Sequence, residues 1–256
     1  MNNRLSRIGF SDSFAREAAT YESLYPGRVI TQSQNIYRVA TEKADLLAEI
    51  TGKLRYTAME KADLPAVGDF VMLDRLDDST GHAIIHYVLK RKSLFERKAA
   101  GERTEAQVIA ANIDKVFICM ALNNDYNLRR LERYLAIAWA SGALPVVVLT
   151  KADLCIDPAE KMAEVSALAA GADVLLSSGL SESGYLPVLN YIAAGETVAF
   201  IGSSGVGKST LINRLLGEEV IATKEIRKDD KGRHTTSRRE LFLTPSGAIV
   251  IDTPGM

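Results

Sequence analysis

The segment that most constrains the fold is a glycine-rich stretch of eight residues, GSSGVGKS, at positions 202–209. It matches the pattern G-x-x-x-x-G-K-[ST]. An apolar run, Thr197–Ile201, precedes it and predicts a buried strand, while the residues after it predict a helix. Glycines allow backbone N–H groups to converge on phosphate oxygens, and a helix N-terminus attracts negative charge. The context therefore predicts a phosphate-binding loop, with a chance match by a glycine-rich turn as the alternative.

Two residues at the end of this loop have side chains suited to a nucleotide and its metal ion. We expect Lys208 to reach the β- and γ-phosphates and the Ser209 hydroxyl to bind Mg²⁺. The other members of the expected phosphate cradle are Gly202, Ser203, Ser204, Gly205, Val206, Gly207 and Thr210.

A second candidate for the metal side lies at the end of another apolar run. Asp252 opens the sequence DTPG directly after residues 248–251, and an acidic residue at the carboxyl end of a strand beside a phosphate loop suits Mg²⁺. Between the two motifs, residues 227–239 (RKDDKGRHTTSRR) are highly charged and lack apolar periodicity. This composition fits a switch loop that orders around the γ-phosphate and an ordinary solvated loop equally well. Thr235 and Thr236 offer hydroxyl groups for Mg²⁺ within it.

A base-binding motif is the third candidate site, because the sequence TKAD ends the apolar run 144–149 and matches [NT]-K-x-D. In guanine-specific P-loop proteins the carboxylate of this motif accepts two hydrogen bonds that adenine cannot supply. The segment SSG, which ends the next apolar run, matches the short [ST]-[AS] segment that contacts guanine O6 through backbone N–H groups. The predicted guanine-binding residues are therefore Thr150, Lys151, Ala152, Asp153, Ser177, Ser178 and Gly179.

Alternation of apolar runs with helical segments predicts the fold class of the second half of the chain. The runs predict parallel strands buried on both faces, so residues 109–256 should form a doubly wound, mostly parallel α/β sheet. The base motif precedes the phosphate loop along the chain, which indicates a circularly permuted P-loop domain. The predicted strands are 115–122, 144–150, 173–176, 197–201, 239–244 and 248–251, and the predicted helices are 128–141, 159–170, 185–193 and 209–216.

Shorter strands broken by turn residues predict a different architecture for the first half. Residues 25–93 favour a small closed barrel of the OB type, and an SH3-like barrel remains open as the alternative. Residues 1–24 are interpreted as an N-terminal extension or a frayed helix, with a helical patch at 13–25, and the charged residues 94–108 as a linker. The predicted barrel strands are 28–30, 36–40, 46–50, the stretch after 52–53, 69–73 and 83–89.

Charge and composition exclude few partners, because the formal net charge of the chain is only -1. The basic stretch 90–98 (KRKSLFERK) could contact RNA phosphates or could be a solvated connector. Without an apolar stretch of roughly 20 residues or a signal-peptide core, we expect no membrane association and a cytoplasmic protein. We interpret Cys119 and Cys155 as buried reduced thiols, and His82 and His86 as structural.

The order TKAD, SSG, GSSGVGKS, HTT and DTPG, preceded by a small β-barrel, resembles the RsgA (YjeQ/YloQ) family of small ribosomal subunit biogenesis GTPases over residues 25–256. The resemblance implies an OB barrel that contacts ribosomal RNA and a permuted G domain that uses GTP, GDP and Mg²⁺. It further implies hydrolysis of GTP stimulated by the small ribosomal subunit and a role in late subunit maturation. We also expect a monomer.

The resemblance adds roles for residues of the charged loop. It makes Thr236, with Thr235 as second choice, the Mg²⁺ ligand of the switch loop, and it places His234 as the group that orients the attacking water. Many GTPases follow D-x-x-G with a water-positioning glutamine, and this chain has Met256 there, which cannot bond to water in that way. An exposed loop histidine without a catalytic role is the alternative.

One feature departs from the resemblance, because family members continue past DTPG into a domain that binds zinc through cysteines and a histidine. Since this chain ends at Met256, we expect a truncated form or fragment, with zinc only in a full-length parent. Two other functions stay open at this point. One is an adenine-nucleotide ATPase or kinase, and the other is an RNA-binding module that senses GTP or GDP with negligible hydrolysis.

Overall fold

The computed structural model describes residues 4–77, 81–98, 106–179, 181, 183–221 and 239–253. The first part of the chain forms a five-stranded barrel with three helices beside it. Its elements are α1 (Arg4–Arg7), α2 (Asp12–Ala18), β1 (Tyr25–Ser33), β2 (Ile36–Thr41), β3 (Asp45–Ile50), α3 (Gly52–Thr57), β4 (Phe70–Leu73) and β5 (Ala83–Val88).

The barrel has the strand order β1-β2-β3-β5-β4, and β4 pairs back with β1 to close it. Only β3 and β5 run parallel, and the other neighbours are antiparallel. Alternate residues of the strands point inward and fill the barrel, among them Val29, Val39, Leu46, Val71 and Ile85. Five strands, the closed order and the helix between β3 and β4 confirm the predicted OB-type barrel.

The stretch after residues 52–53 forms α3, so the strand predicted there is wrong. Thr51 explains the difference, because its Oγ1 accepts a hydrogen bond from the backbone N–H of Leu54 at 3.0 Å and caps the helix N-terminus. Leu54 packs against the barrel core from this helix.

The N-terminal segment packs on the barrel, which corrects the expectation of a frayed helix. α2 ends at Ala18, several residues earlier than predicted, and it buries Phe14 against Phe70 and Met72 of β4. Leu5 of α1 is buried as well. These apolar contacts hold a segment whose overall composition is polar.

The expected linker at 94–108 is also wrong as a description of structure. Two antiparallel strands, β6 (Leu94–Lys98) and β7 (Ala106–Ala111), form a ribbon there. Phe95 of β6 and Ile109 of β7 are buried in the core of the α/β sheet, and this burial is the reason that the segment does not run free.

The second half of the chain forms the predicted doubly wound sheet. Its strand order is β10-β9-β8-β11-β13-β12, and all neighbours are parallel except β12 and β13. Helices cover both faces. The elements are β8 (Lys115–Ala121), α4 (Leu128–Ala140), β9 (Leu144–Thr150), α5 (Pro158–Leu168), β10 (Asp173–Leu176), α6 (Leu186–Tyr191), β11 (Thr197–Ile201), α7 (Lys208–Leu216), β12 (Glu240–Leu243) and β13 (Ile249–Asp252).

Barrel and α/β sheet meet at a continuous junction, because β12 pairs with β1 through Thr31 and Glu240. Beside this pairing, the Arg28 guanidinium is 1% exposed and donates to the carbonyls of Ile8 (2.6 Å) and Gly68 (3.1 Å) and to Thr197 Oγ1 (2.9 Å). Thr197 begins the strand that leads to the phosphate loop.

The backbones of barrel and ribbon approach closely at Gly68, the residue before the buried Asp69. Its φ is +95°, and a Cβ there would lie 2.2 Å from the carbonyl oxygen of Ala111, so only glycine fits. Asn112 donates through Nδ2 to the same Gly68 carbonyl at 3.2 Å. The junction is therefore closed by backbone contact as well as by side chains.

The helices in the described part of the chain are all too short or too polar to cross a lipid bilayer. Neither cysteine forms a disulfide. Cys119 is buried, where burial raises the pKa of its thiol to about 12, and Cys155 is only half-buried.

Candidate functional site

The phosphate-loop motif forms the turn between β11 and α7, as predicted. Gly202, Gly205 and Gly207 have φ values of +145°, +82° and +102°, a backbone region that favours glycine. A Cβ on Gly202 would lie 2.4 Å from the carbonyl oxygen of Cys119, so the loop is pressed against the neighbouring strand β8. These contacts curl the loop around the N-terminus of α7.

Lys208, the first residue of α7, occupies the inside of that curl. Its Nζ donates to the carbonyl oxygens of Gly202 at 2.7 Å and Ser203 at 2.8 Å. The residue is 8% exposed, and burial lowers the pKa of its ammonium group. The cation is thus held by carbonyl oxygens that a phosphate oxygen can supplement or replace.

Asp252 and Ser209 lie on neighbouring elements at the same edge of the sheet. Asp252 ends β13, in parallel register with Phe200 of β11, and Ser209 lies in the first turn of α7. Burial raises the pKa of Asp252 to about 6, with Lys208 opposing the rise and Glu240 adding to it. A carboxylate and a hydroxyl are the hard oxygen ligands that Mg²⁺ prefers, so the donor set fits this ion.

The base motif continues from β9 and is tied to the phosphate loop. Thr150 ends the strand, and its Oγ1 donates to the carbonyl oxygen of Val206 at 2.6 Å. Lys151 follows in a left-handed conformation with φ of +56°, which turns the chain into a short 3₁₀ helix, Ala152–Leu154. Asp153 is exposed on this turn.

The SSG segment lies between the base motif and α7. The Ser178 hydroxyl donates to Asp153 Oδ1 at 2.5 Å, and the carbonyl of Ser177 accepts a bond from the N–H of Ala152 at 3.2 Å. A Cβ on Gly179 would lie 3.0 Å from Cγ2 of Thr210. The structure therefore brings all three predicted motifs, 150–153, 177–179 and 202–210, to one edge of the sheet.

Three contacts of this site were not predicted from the sequence. They are the side-chain bond of Ser178 to Asp153, the bond of Thr150 to the phosphate loop, and the placement of Glu240 beside Asp252. The motif patterns include Ser178 and Thr150, but they do not indicate which groups these two side chains bond to. Glu240 carries no motif signal, because its placement depends on strand register.

Some predicted residues fall outside the described residues: His234, Thr235, Thr236 and residues 254–256. Other expectations are corrected by the structure. Within the basic stretch, Arg91 pairs with Asp69 and Lys92 with Asp114, so these cations serve internal contacts. His82, which we interpret as structural, lies with its Nδ1 2.9 Å from Glu49 Oε1. The described residues hold no group of three or more histidine, cysteine or acidic side chains placed to bind a metal.

The model of the RsgA GTPase family matches residues 88–256. This chain belongs to the RsgA GTPase family. Two curated relatives agree with the match along nearly the whole chain. RsgA 2 of Lactiplantibacillus plantarum is 48% identical over 257 residues, and RsgA of Methanosarcina acetivorans is 44% identical over 251.

Both relatives carry the description small ribosomal subunit biogenesis GTPase. The alignments cover 100% and 97% of this chain but only 72% and 66% of the relatives. The chain therefore spans about two thirds to three quarters of the length of these proteins.

Solved structures show the same fold. YjeQ from Thermotoga maritima superposes with a TM-score of 0.66 at 24% identity, covering 91% of this chain and 75% of YjeQ. YloQ, described as a circularly permuted GTPase, gives 0.62 at 20% identity and covers 91% of this chain and 72% of YloQ. The permuted order predicted from the motifs is confirmed. The chain is a GTP hydrolase by family, which answers the alternative of an adenine-nucleotide enzyme.

Proposed function

We propose that the chain binds GTP and GDP with Mg²⁺ at the edge formed by β9, β10, β11 and β13, and that it hydrolyses GTP during late maturation of the small ribosomal subunit. The observation that carries the proposal is the bond from Thr150 to Val206, because it ties the base motif directly to the phosphate loop. The names of the curated relatives support the ribosomal role.

On the phosphate side, backbone N–H groups of the curled loop would bind the phosphate oxygens, together with the N-terminus of α7. Lys208 would turn from the carbonyls of Gly202 and Ser203 toward the β- and γ-phosphates. Ser209, Asp252 and Thr236 would hold Mg²⁺, which neutralises negative charge on the phosphates. His234 would orient the attacking water.

On the base side, Asp153 would accept hydrogen bonds from guanine N1–H and the N2 amine. The Ser178 hydroxyl already holds one oxygen of this carboxylate, so little rearrangement is needed when the base arrives. Backbone N–H groups of 177–179 would contact guanine O6.

The partners follow from the same family. We infer that the barrel contacts ribosomal RNA of the small subunit and that the subunit stimulates hydrolysis. We also infer a monomeric, cytoplasmic protein without membrane association. Light scattering of the purified chain and co-sedimentation with small subunits, each with GDP and with a non-hydrolysable GTP analogue, test these statements.

Replacing Asp153 by asparagine tests the base assignment. Asp153→Asn should weaken GTP binding by about 100-fold or more, because two charge-assisted hydrogen bonds are lost, and it should favour xanthosine triphosphate. Affinities for both nucleotides are measured by competition with a fluorescent GDP analogue. Glu160→Gln, on the nearby helix α5, is the control and should bind GTP as the wild type does. Unchanged GTP affinity in Asp153→Asn would refute the guanine assignment.

Single-turnover hydrolysis tests the catalytic assignment. His234→Ala should hydrolyse bound GTP more slowly than the wild type by about 100-fold in the presence of small ribosomal subunits, since proton transfer or water positioning contributes roughly this much. GDP affinity should not change. Hydrolysis at the wild-type rate would show that His234 does not act on the attacking water.

A further inference from the structure

Strand β12 joins the barrel to the α/β sheet, because it pairs with β1 of the barrel on one side and with β13, which carries Asp252, on the other. Glu240, its first residue, is in register with Thr31 of β1 and with Asp252 of β13. Asp252 is in turn the partner of Phe200, two residues before the phosphate loop. One row of paired residues therefore runs from the barrel to the strand that carries the loop.

The register also places the side chains. Residues directly opposite each other in an antiparallel pair point to the same face of the sheet, with Cβ atoms about 4.5–5.5 Å apart. The carboxyl group of Glu240 thus neighbours that of Asp252, on the face covered by α7. Both residues are half-buried.

Two carboxylates opposite each other destabilise a strand pair, and partial burial strengthens the repulsion. Within the described ranges, no lysine or arginine forms an ion pair with either of them. Lys208 is close enough to influence Asp252, but its ammonium group donates to the carbonyls of the phosphate loop. The pair therefore gains most from a cation that arrives with the ligand.

We propose that Glu240 is a positioning residue of the magnesium side, which raises the affinity of the site for Mg²⁺ by acting beside Asp252. This inference rests on the proposed function of Ser209 and Asp252. Through its pairing with Thr31 of β1, Glu240 also links the metal side to the barrel.

Glu240→Gln tests the proposal because it removes the charge and keeps the shape. The readout is the Mg²⁺ concentration that gives half of the maximal effect on GDP affinity, measured with a fluorescent GDP analogue. We expect this concentration to rise about tenfold, the scale found when groups behind a metal ligand are changed. GDP affinity in EDTA should stay within about twofold of the wild type. The matched control is Glu132→Gln on the exposed face of α4, which should leave both quantities unchanged.

If Glu240→Gln needs the same Mg²⁺ concentration for half of the maximal effect as the wild type, the proposal is overturned. An equal loss of GDP affinity with and without Mg²⁺ would also overturn it, because that result would indicate a structural role. Glu240→Asp keeps the charge, so the Mg²⁺ concentration that it needs for half of the maximal effect should be closer to the wild-type value than that of Glu240→Gln. If Glu240→Gln does not fold, a tenfold rise in Glu240→Asp overturns the role of charge, and a smaller rise supports it. If the GDP affinity of the wild type does not depend on Mg²⁺, the proposed metal site itself is refuted.

Discussion

Two buried polar clusters of this chain, the junction between barrel and sheet and the nucleotide edge, differ in how their charges are satisfied. At the junction, Arg28 donates to three acceptors. Arg91 donates to both carboxylate oxygens of Asp69 and to the backbone carbonyls of Ala62 and Leu64. At the nucleotide edge, Lys208 is held by its own loop, and Asp252 has a raised pKa because it is buried without an ion-pair partner among the described residues.

The difference separates a permanent contact from a site prepared for a ligand. Buried polar groups that are fully hydrogen-bonded hold one geometry, since breaking any bond leaves an unsatisfied partner. A carboxylate that is ionised only at a cost in free energy is stabilised by a bound cation. The junction therefore fixes the barrel on the strand leading to the phosphate loop, while we expect the nucleotide edge to change its bonds when GTP and Mg²⁺ bind.

The largest effect is expected at the junction. Arg28→Met should lower the free energy of unfolding by about 3 kcal/mol, because the acceptors at Ile8, Gly68 and Thr197 lose a charged donor. Chemical denaturation measures this change. Arg38→Met, which removes an exposed arginine paired with Asp45, is the control and should cost less than about 1 kcal/mol. Equal losses in the two variants would mean that the junction is not a fixed contact.

A smaller change in stability, in this case an increase, is expected when the charge of Asp252 at the metal side is removed. The raised pKa of Asp252 means that the folded chain binds a proton more tightly than the unfolded chain between about pH 4 and pH 6. The contribution of Asp252 to stability should therefore fall as pH rises through this window, and its cost should be complete above about pH 6.

Asp252→Asn removes that cost, so without nucleotide and Mg²⁺ it should be more stable than the wild type by about 2 kcal/mol at pH 7.5. The two proteins should have similar stability below about pH 4. Thermal unfolding between pH 4 and 8 measures the difference, and a difference that does not vary with pH would contradict the expected ionisation. The gain at pH 7.5 should come with loss of the Mg²⁺ effect on GDP affinity.

The smallest effect concerns the bond between the base motif and the phosphate loop. Thr150→Val keeps the shape but leaves the Val206 carbonyl without its donor, so GDP affinity should fall about fivefold, equivalent to about 1 kcal/mol. Thr150→Ser retains the hydroxyl and should stay within about twofold of the wild type. Equal affinities of the valine and serine variants would show that the hydroxyl bond does not couple the two motifs.

Most of the α/β sheet could be predicted because its strands are continuous apolar runs. Predicted and observed bounds agree within a residue or two for β8, β9, β10 and β11, since burial on both faces leaves a clear signal. The motifs at the ends of these strands then predicted the site, because the carboxyl ends of parallel strands lie at one edge of the sheet.

The shorter elements could not be predicted in the same way. α3 depends on a cap from Thr51, and the ribbon depends on burial of Phe95 against a distant sheet. Local composition does not contain these contacts, because tertiary packing outweighs propensity in short segments. The same holds for Arg28, whose partners Ile8, Gly68 and Thr197 lie far away along the chain. Glu240 lies opposite Asp252 only through the register of the β12–β13 pair.

Hydrogen exchange of backbone amides in the wild-type chain tests the contrast between the two clusters most directly. The samples are the free chain, the chain with GDP and Mg²⁺, and the chain with ADP and Mg²⁺. We predict that amides of residues 151–153, 177–179 and 203–209 gain protection with GDP but not with ADP, while β1 and the start of β11 are equally protected in all three. Equal protection of the nucleotide edge by ADP, or exchange of β1 that depends on nucleotide, would contradict the account.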